Sequence, residues 1–245
     1  GSSPSPDAEP APDVAPDVEE PAPDLGVADV EEVDTGEPCV GLRATASNAV
    51  LPVDIMWIVD NSGSMVEEIE IIENEIASFV NFIGASGLDY RVVMISADED
   101  VVDPIIGATS YYGICVPAPL SGAFGCPDTD SPVYRHVRQT VDSTNGLQVF
   151  LNTFFEFSDF LRPEAVKHIV MVTDDESDMA AGTFLGNLER LAGPINPDEL
   201  IFHSIVAQED NVGVCFDCPA DLCGASHGRT YINLSTRTGG VNYSV

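Results

Sequence analysis

Residues 53–65 read VDIMWIVDNSGSM: an apolar run from Val53 that ends in Asp60, then a short polar turn closed by Met65. A run of that length is what a strand buried on both faces requires. Directly behind it, Met65–Ala85 carries helical spacing, with Val66, Ile69, Ile72, Ile76, Phe79, Val80 and Ile83 on one face. Acids at 67, 68 and 70 crowd its first turns, where the helix dipole favours negative charge. The same alternation continues outward. Strands are expected at Tyr90–Ala97, Val133–Val141, Lys167–Thr173, Leu200–Ala207 and Val241–Val245, and helices at Gly146–Leu161, Thr183–Ala192 and Thr230–Thr238. Repeated strand–helix alternation predicts an α/β fold: a doubly wound, mainly parallel central sheet flanked by helices.

Two stretches depart from this texture. Residues 1–38 are built from Pro, Asp, Glu, Ala and Val, with twelve acids and no base. Such a segment buries too little apolar surface to offset its ordering entropy, so a disordered acidic stalk or linker is expected there, followed by one domain over 39–245. Residues 98–132 are rich in Gly, Pro and Ser, far longer than an ordinary connection, and read as an insertion loop. They hold Cys115 and Cys126, expected to pair. Cys39 is assigned to one of Cys215, Cys218 and Cys223, with the remaining two joined. An even cysteine count with short loops suits an oxidising compartment. The Cys215-x2-Cys218-x4-Cys223 run with His227 nearby has a zinc-like look, but zinc sites show two well-spaced ligand pairs, and disulfides are the better expectation. His136, His168 and His203 read as packing residues, and the sequons at Asn233 and Asn242 fall in regular structure.

Charge narrows the partners. Forty-one acids against nine bases give a formal charge of −32. Nucleic acid is excluded as a natural partner, because binding it depends on Lys and Arg releasing phosphate counterions. Anionic membrane surfaces are disfavoured for the same reason, and no apolar run is long enough for a membrane-spanning helix. Cations and cation-bridged proteins remain.

In open α/β sheets, ligands bind where the chain leaves the carboxyl ends of the strands. Two strands end there in acids: the first runs into Asp60-Asn61-Ser62-Gly63-Ser64, the later one into Thr173-Asp174-Asp175-Glu176-Ser177-Asp178. A hard dication takes oxygen ligands. Asp60 offers charge, Ser62 and Ser64 neutral oxygens, and Asp174 a carboxylate able to fix a metal-bound water. A helix N-cap accounts for Asp60, Ser62 and Ser64 without any metal. The agreement of Asp174 weighs against that simpler reading. Asp175, Glu176 and Asp178 read as a solvated acidic loop, and so do Asp98, Glu99, Asp100 and Asp103.

VDNSGSM after an apolar strand, an amphipathic helix behind it, and VTDDES after a later strand together resemble the von Willebrand factor A domain over roughly residues 50–245. The resemblance implies a metal-ion-dependent adhesion site: Asp60, Ser62 and Ser64 match its DxSxS motif, and Asp174 matches its third-loop Asp. Its second-loop ligand falls within Val141–Leu147, where Ser143 and Thr144 are the candidates and Asp142 a third. The family's domains normally finish with one more helix after the strand that follows Gly239-Gly240, a helix that the printed sequence does not reach. What the resemblance implies is a Mg2+ site, with Mn2+ or Ca2+ as alternatives, whose metal holds the Asp or Glu carboxylate of a protein partner. The expected setting is extracellular or at the cell surface, as in a bacterial outer-membrane lipoprotein anchored upstream of residue 1. A structural surface protein whose metal only steadies loops is the alternative. A metal-assisted hydrolase is disfavoured, since there is no GxSxG, HExxH or P-loop and no His in the motif loops; the chain is expected not to be an enzyme.

Overall fold

The computed structural model describes residues 51–245 except 106, 192, 194 and 209–224. The expected stalk, Cys39 and the cysteines at 215, 218 and 223 lie outside the described residues. The elements follow in the order β1 (Val53–Val59), α1 (Val66–Ala85), β2 (Tyr90–Ser96), β3 (Val101–Val102), β4 (Thr109–Tyr111), β5 (Tyr134–Arg138), α2 (Gly146–Phe157), β6 (Val166–Thr173), α3 (Ala181–Arg190), β7 (Ile201–Val206), α4 (Arg229–Thr238) and β8 (Asn242–Tyr243). Six strands form one sheet in the order β5-β2-β1-β6-β7-β8. Every pairing within it is parallel. The described residues enter the sheet at its centre with β1, wind outward through β2 and β5, then return to β6 beside β1 and wind the other way. That reversal makes the gap between β1 and β6 the switch point of a doubly wound sheet.

Right-handed crossovers assign each connection to a face. Travel from β1 to β5 puts α1 and the insertion on one side, and travel in the opposite direction, from β5 across to β6 and on to β8, puts α2, α3 and α4 on the other. The two cores agree. Met56, Ile58, Val93 and Ile95 pack with Phe150, Phe154 and Phe157 of α2, Phe184 of α3 and Leu234 of α4. Val59, Val92 and Met94 pack with Met65, Ile69, Ile76 and Val80 around α1, and with Ile114, Val116 and Leu120 of the insertion. Full burial of side chains this size stabilises by about 1.5–3 kcal/mol each. Beyond α1 that second face is less covered among the described residues. There a groove of about 290 Å³ runs over Ile55, Trp57 and Val170, walled by Phe79 and Phe82 and ending at His168 and His203.

The insertion is not wholly irregular. β3 and β4 pair as a small antiparallel hairpin, and Cys115 and Cys126 are disulfide-bonded as expected. A buried polar network fastens it to the sheet edge. Asp128 accepts from Val116 N at 3.0 Å and from the Tyr134 hydroxyl at 2.7 Å, and it meets His136 Nδ1 at 2.8 Å. His136 Nε2 lies 3.0 Å from Ser96 Oγ. Burial pushes the Asp128 carboxyl up, but its bonds to His136 and Tyr134 and the His136 charge outweigh this and hold it below the usual carboxylate range. His136 is therefore a network member rather than the plain packing residue its sequence context suggests.

At the opposite, amino-terminal edge of the sheet, Asp54 is fully buried. It accepts from Arg162 N at 2.6 Å and Arg162 Nε at 2.9 Å. Lys167, the only lysine of the chain, approaches Asp54 at 3.6 Å and donates to the carbonyls of Ala165 and Arg162. It is 3% exposed, and burial pulls its ammonium below the usual lysine range.

Candidate metal centre

β1 and β6 run side by side to their carboxyl ends, where Asp60 N donates to Val172 O at 3.0 Å. This register sets Asp60 beside Thr173, and the Thr173 hydroxyl donates to Asp60 Oδ2 at 2.6 Å. The other Asp60 oxygen accepts from Ser62 N at 2.8 Å, which turns the chain sharply into the 3-10 turn Gly63–Met65. Ser62 and Ser64 therefore return over Asp60, with their hydroxyl oxygens 3.3 Å apart. Ser64 Oγ donates to Asp174 Oδ1 at 3.2 Å, across 110 residues of sequence. Ser143 Oγ donates to Ser62 Oγ at 3.1 Å.

Five of the six residues singled out from the sequence thus form one bonded cluster: Asp60, Ser62, Ser64, Ser143 and Asp174. Thr144 stands apart. Its hydroxyl donates to Asp178 Oδ2 at 2.8 Å, and Asp178 N donates back to Thr144 O at 3.0 Å. Asp142, the third second-loop candidate, is exposed, and its carboxylate accepts from Ser143 N.

The cluster carries two carboxylates, and neither forms a salt bridge among the described residues. Burial pushes Asp60 up to about 6, against the hydrogen bonds from Thr173 and Ser62 and with a further push from the Asp174 charge. Asp174 is also raised, first by burial and then by the Asp175 charge, against its bond from Ser64. Two desolvated acids beside three hydroxyl oxygens make a site short of positive charge. That donor set suits a hard dication, which takes oxygen ligands and keeps some of its water. Among the described residues no group of three His, Cys, Asp or Glu side chains that could hold a metal converges, here or elsewhere, so a cation at this cluster would depend on the serine hydroxyls beside its two carboxylates. The acids at 98–103 serve the insertion instead: Asp98 pairs with Arg138, Asp100 accepts from Gly113 N, and Asp103 accepts from Ile105 N.

Three supporting residues were not given these roles from the sequence, and one of them, Glu176, was read there as part of a solvated acidic loop, which its bond to the start of α4 corrects. Thr173 is one. Asn61 is the second: its Oδ1 accepts from Ala97 N at 2.9 Å and Val141 N at 3.4 Å, while its Nδ2 donates to Tyr112 O at 2.8 Å. One side chain thus ties the Asp60–Ser64 loop to the end of β2, to the second loop and to the insertion. Glu176 is the third. It accepts from Thr230 N at 3.1 Å in the first turn of α4, while Ser226 N bonds Asp174 O at 3.1 Å. By accepting from a first-turn N–H that has no partner within the helix, Glu176 anchors the third loop to α4. In sequence, the only sign of these roles was adjacency to the motif residues.

No protein-family model matches the chain, and comparison with curated proteins likewise gives no match.

Proposed function

We propose that the chain is a protein-binding module of the von Willebrand factor A type, acting through a divalent cation held at Asp60, Ser62, Ser64, Ser143 and Asp174. The reading is carried by one observation: side-chain oxygens from three separate loops join in a single hydrogen-bonded cluster at the switch point. When bound, a dication supplies a positive charge that two carboxylates and three neutral hydroxyls leave open to an Asp or Glu carboxylate of a partner. The chain's own residues do the rest. Thr173 and Ser62 N orient Asp60, Asn61 fixes the loop that carries the serines, and Glu176 and Ser226 hold Asp174 in place. Ser64 is exposed and Ser143 half-buried, which leaves the solvent side of the cluster accessible. Mg2+ is the proposed ion, with Mn2+ and Ca2+ as substitutes in vitro.

The setting belongs to the same proposal: an extracellular or cell-surface protein. No helix among the described residues is long and apolar enough to cross a membrane. The test is a pull-down of partners from the native surroundings with Mg2+ or with EDTA, run with the wild type and with Asp60→Ala. Capture should require the cation and disappear in Asp60→Ala while the circular dichroism spectrum is retained. Capture that survives both EDTA and the substitution refutes the reading. Metal-dependent melting without any metal-dependent capture would move the function to loop stabilisation alone.

A further inference from the structure

Tyr231 sits in the first turn of α4, is fully buried, and belongs to the cluster formed with α2 and α3. Its hydroxyl makes no hydrogen bond within bonding geometry among the described residues. An unsatisfied buried hydroxyl is costly, and phenylalanine would fill almost the same volume without that cost. The same cluster uses phenylalanine freely, at Phe150, Phe154, Phe157, Phe184 and Phe202. Packing therefore gives no account of the oxygen.

Its surroundings do. The Ser177 side chain lies beside it, and Asp60, Glu176 and Asp175 are close enough for their charges to act on the phenol. Burial, the largest cause, pushes its ionisation up; the neighbouring Ser177 side chain pulls it back, and the charges of Asp60, Glu176 and Asp175 push it up again. A phenol is protonated at neutral pH and can donate, and the start of its helix is hydrogen-bonded to the loop that carries Asp174. The backbone that carries it is bonded to the third loop through Glu176 and Thr230.

We propose that Tyr231 is a positioning residue of the metal centre. When a dication binds, the hydroxyl gains the partner it lacks, donating through one water to the Asp60 carboxylate and steadying the inner side of the ligand set. Outer hydrogen-bond partners of metal ligands act in this way, and their loss commonly weakens metal binding about tenfold or more. The inference rests on the cation reading above.

The experiment compares the full chain with Tyr231→Phe by calorimetric titration with Mn2+, by melting of the metal-free proteins, and by tyrosine difference absorption on adding Mg2+. Tyr231→Phe should bind Mn2+ about tenfold more weakly, with an unchanged or higher metal-free Tm. The wild type should show a Mg2+-induced tyrosine signal that the variant lacks. Equal Mn2+ affinity in the two proteins overturns the role of Tyr231 and leaves the cation site standing. A fall in metal-free Tm that tracks the affinity loss also overturns it, since that is a packing defect. Wild type that binds Mn2+ without any tyrosine signal does the same, whether or not the variant folds. A wild type that binds no Mn2+ removes both readings together.

Discussion

His168 and His203 stack with rings 5.3 Å apart and within 6° of parallel at the end of the apolar groove. Val241 N–H donates to His203 Nδ1 at 3.3 Å, so that nitrogen is an acceptor and the proton of the neutral ring sits on Nε2. His203 Nε2 then donates to His168 Nδ1 at 2.9 Å. Burial holds both rings below the usual histidine range, and His168 is lowered further by the charge of His203. A histidine depressed in the folded state binds its proton more readily when unfolded. The pair therefore supports the fold above about pH 6.5, and that support is lost as pH falls from there through the depressed values. Measured between pH 7.5 and 5 at fixed Mg2+, the Tm of the wild type should fall more than that of His168→Gln/His203→Gln; parallel curves would contradict it. At this scale the sequence was informative where chemistry is contiguous. Asp60, Ser62 and Ser64 lie within five residues after a strand, and Asp174 stands at another strand's tip. Thr173 and Asn61 were not legible, because their roles consist of contacts to residues 113 and 36 positions away. The choice between Ser143 and Thr144 depends on which way two adjacent side chains turn, and spacing carries no such information.

The insertion shows what the disulfide stabilises. Cys115 and Cys126 close a loop of eleven residues' separation, and Cys115 N also donates to Glu73 of α1 at 3.0 Å. Loop-closure entropy for that length predicts a loss of about 3 kcal/mol in Cys115→Ser/Cys126→Ser, measurable by urea unfolding. The effect should reach the proposed metal centre as well. Tyr111 bridges to Ser62, and Tyr112 N donates to Asn61 O at 2.9 Å. The same variant should thus bind Mn2+ more weakly; unchanged affinity would mean that the insertion and the metal loop are energetically separate. The buried strands fall within a residue or two of their sequence expectations, because runs such as KHIVMVT suit the inside of a sheet, except that β5 ends at Arg138, three residues short of the expected Val141. β3 and β4 escaped notice for the opposite reason: Val101 and Val102 are exposed, so no alternation marks them. The second helix was expected through Leu161 but ends at Phe157. Phe160 N and Leu161 N bond only three residues back, to Phe157 O and Ser158 O, and the chain tightens toward the Asp54–Arg162 network.

On the scale of the whole molecule, the doubly wound topology decides where chemistry can sit. Residues 60–64, 143 and 174 come together only when β1 and β6 are neighbours, so no isolated segment carries the centre. Topology was legible from the alternation of elements and the two acidic strand ends, whereas the uneven covering of the two faces required the handedness of each crossover. The buried lysine at the amino-terminal edge of the sheet has a practical corollary. Since Lys167 is the only ε-amine in the sequence and lies folded against Ala165, Arg162 and Asp54, an acylating reagent can modify it only during excursions that open the sheet. Its acylation, read by peptide mass spectrometry, should remain near zero in buffer and rise steeply across the urea transition. Rapid acylation in native buffer would show that this edge opens locally. The polypeptide thus contains its own single-site reporter of unfolding, with no label to be engineered.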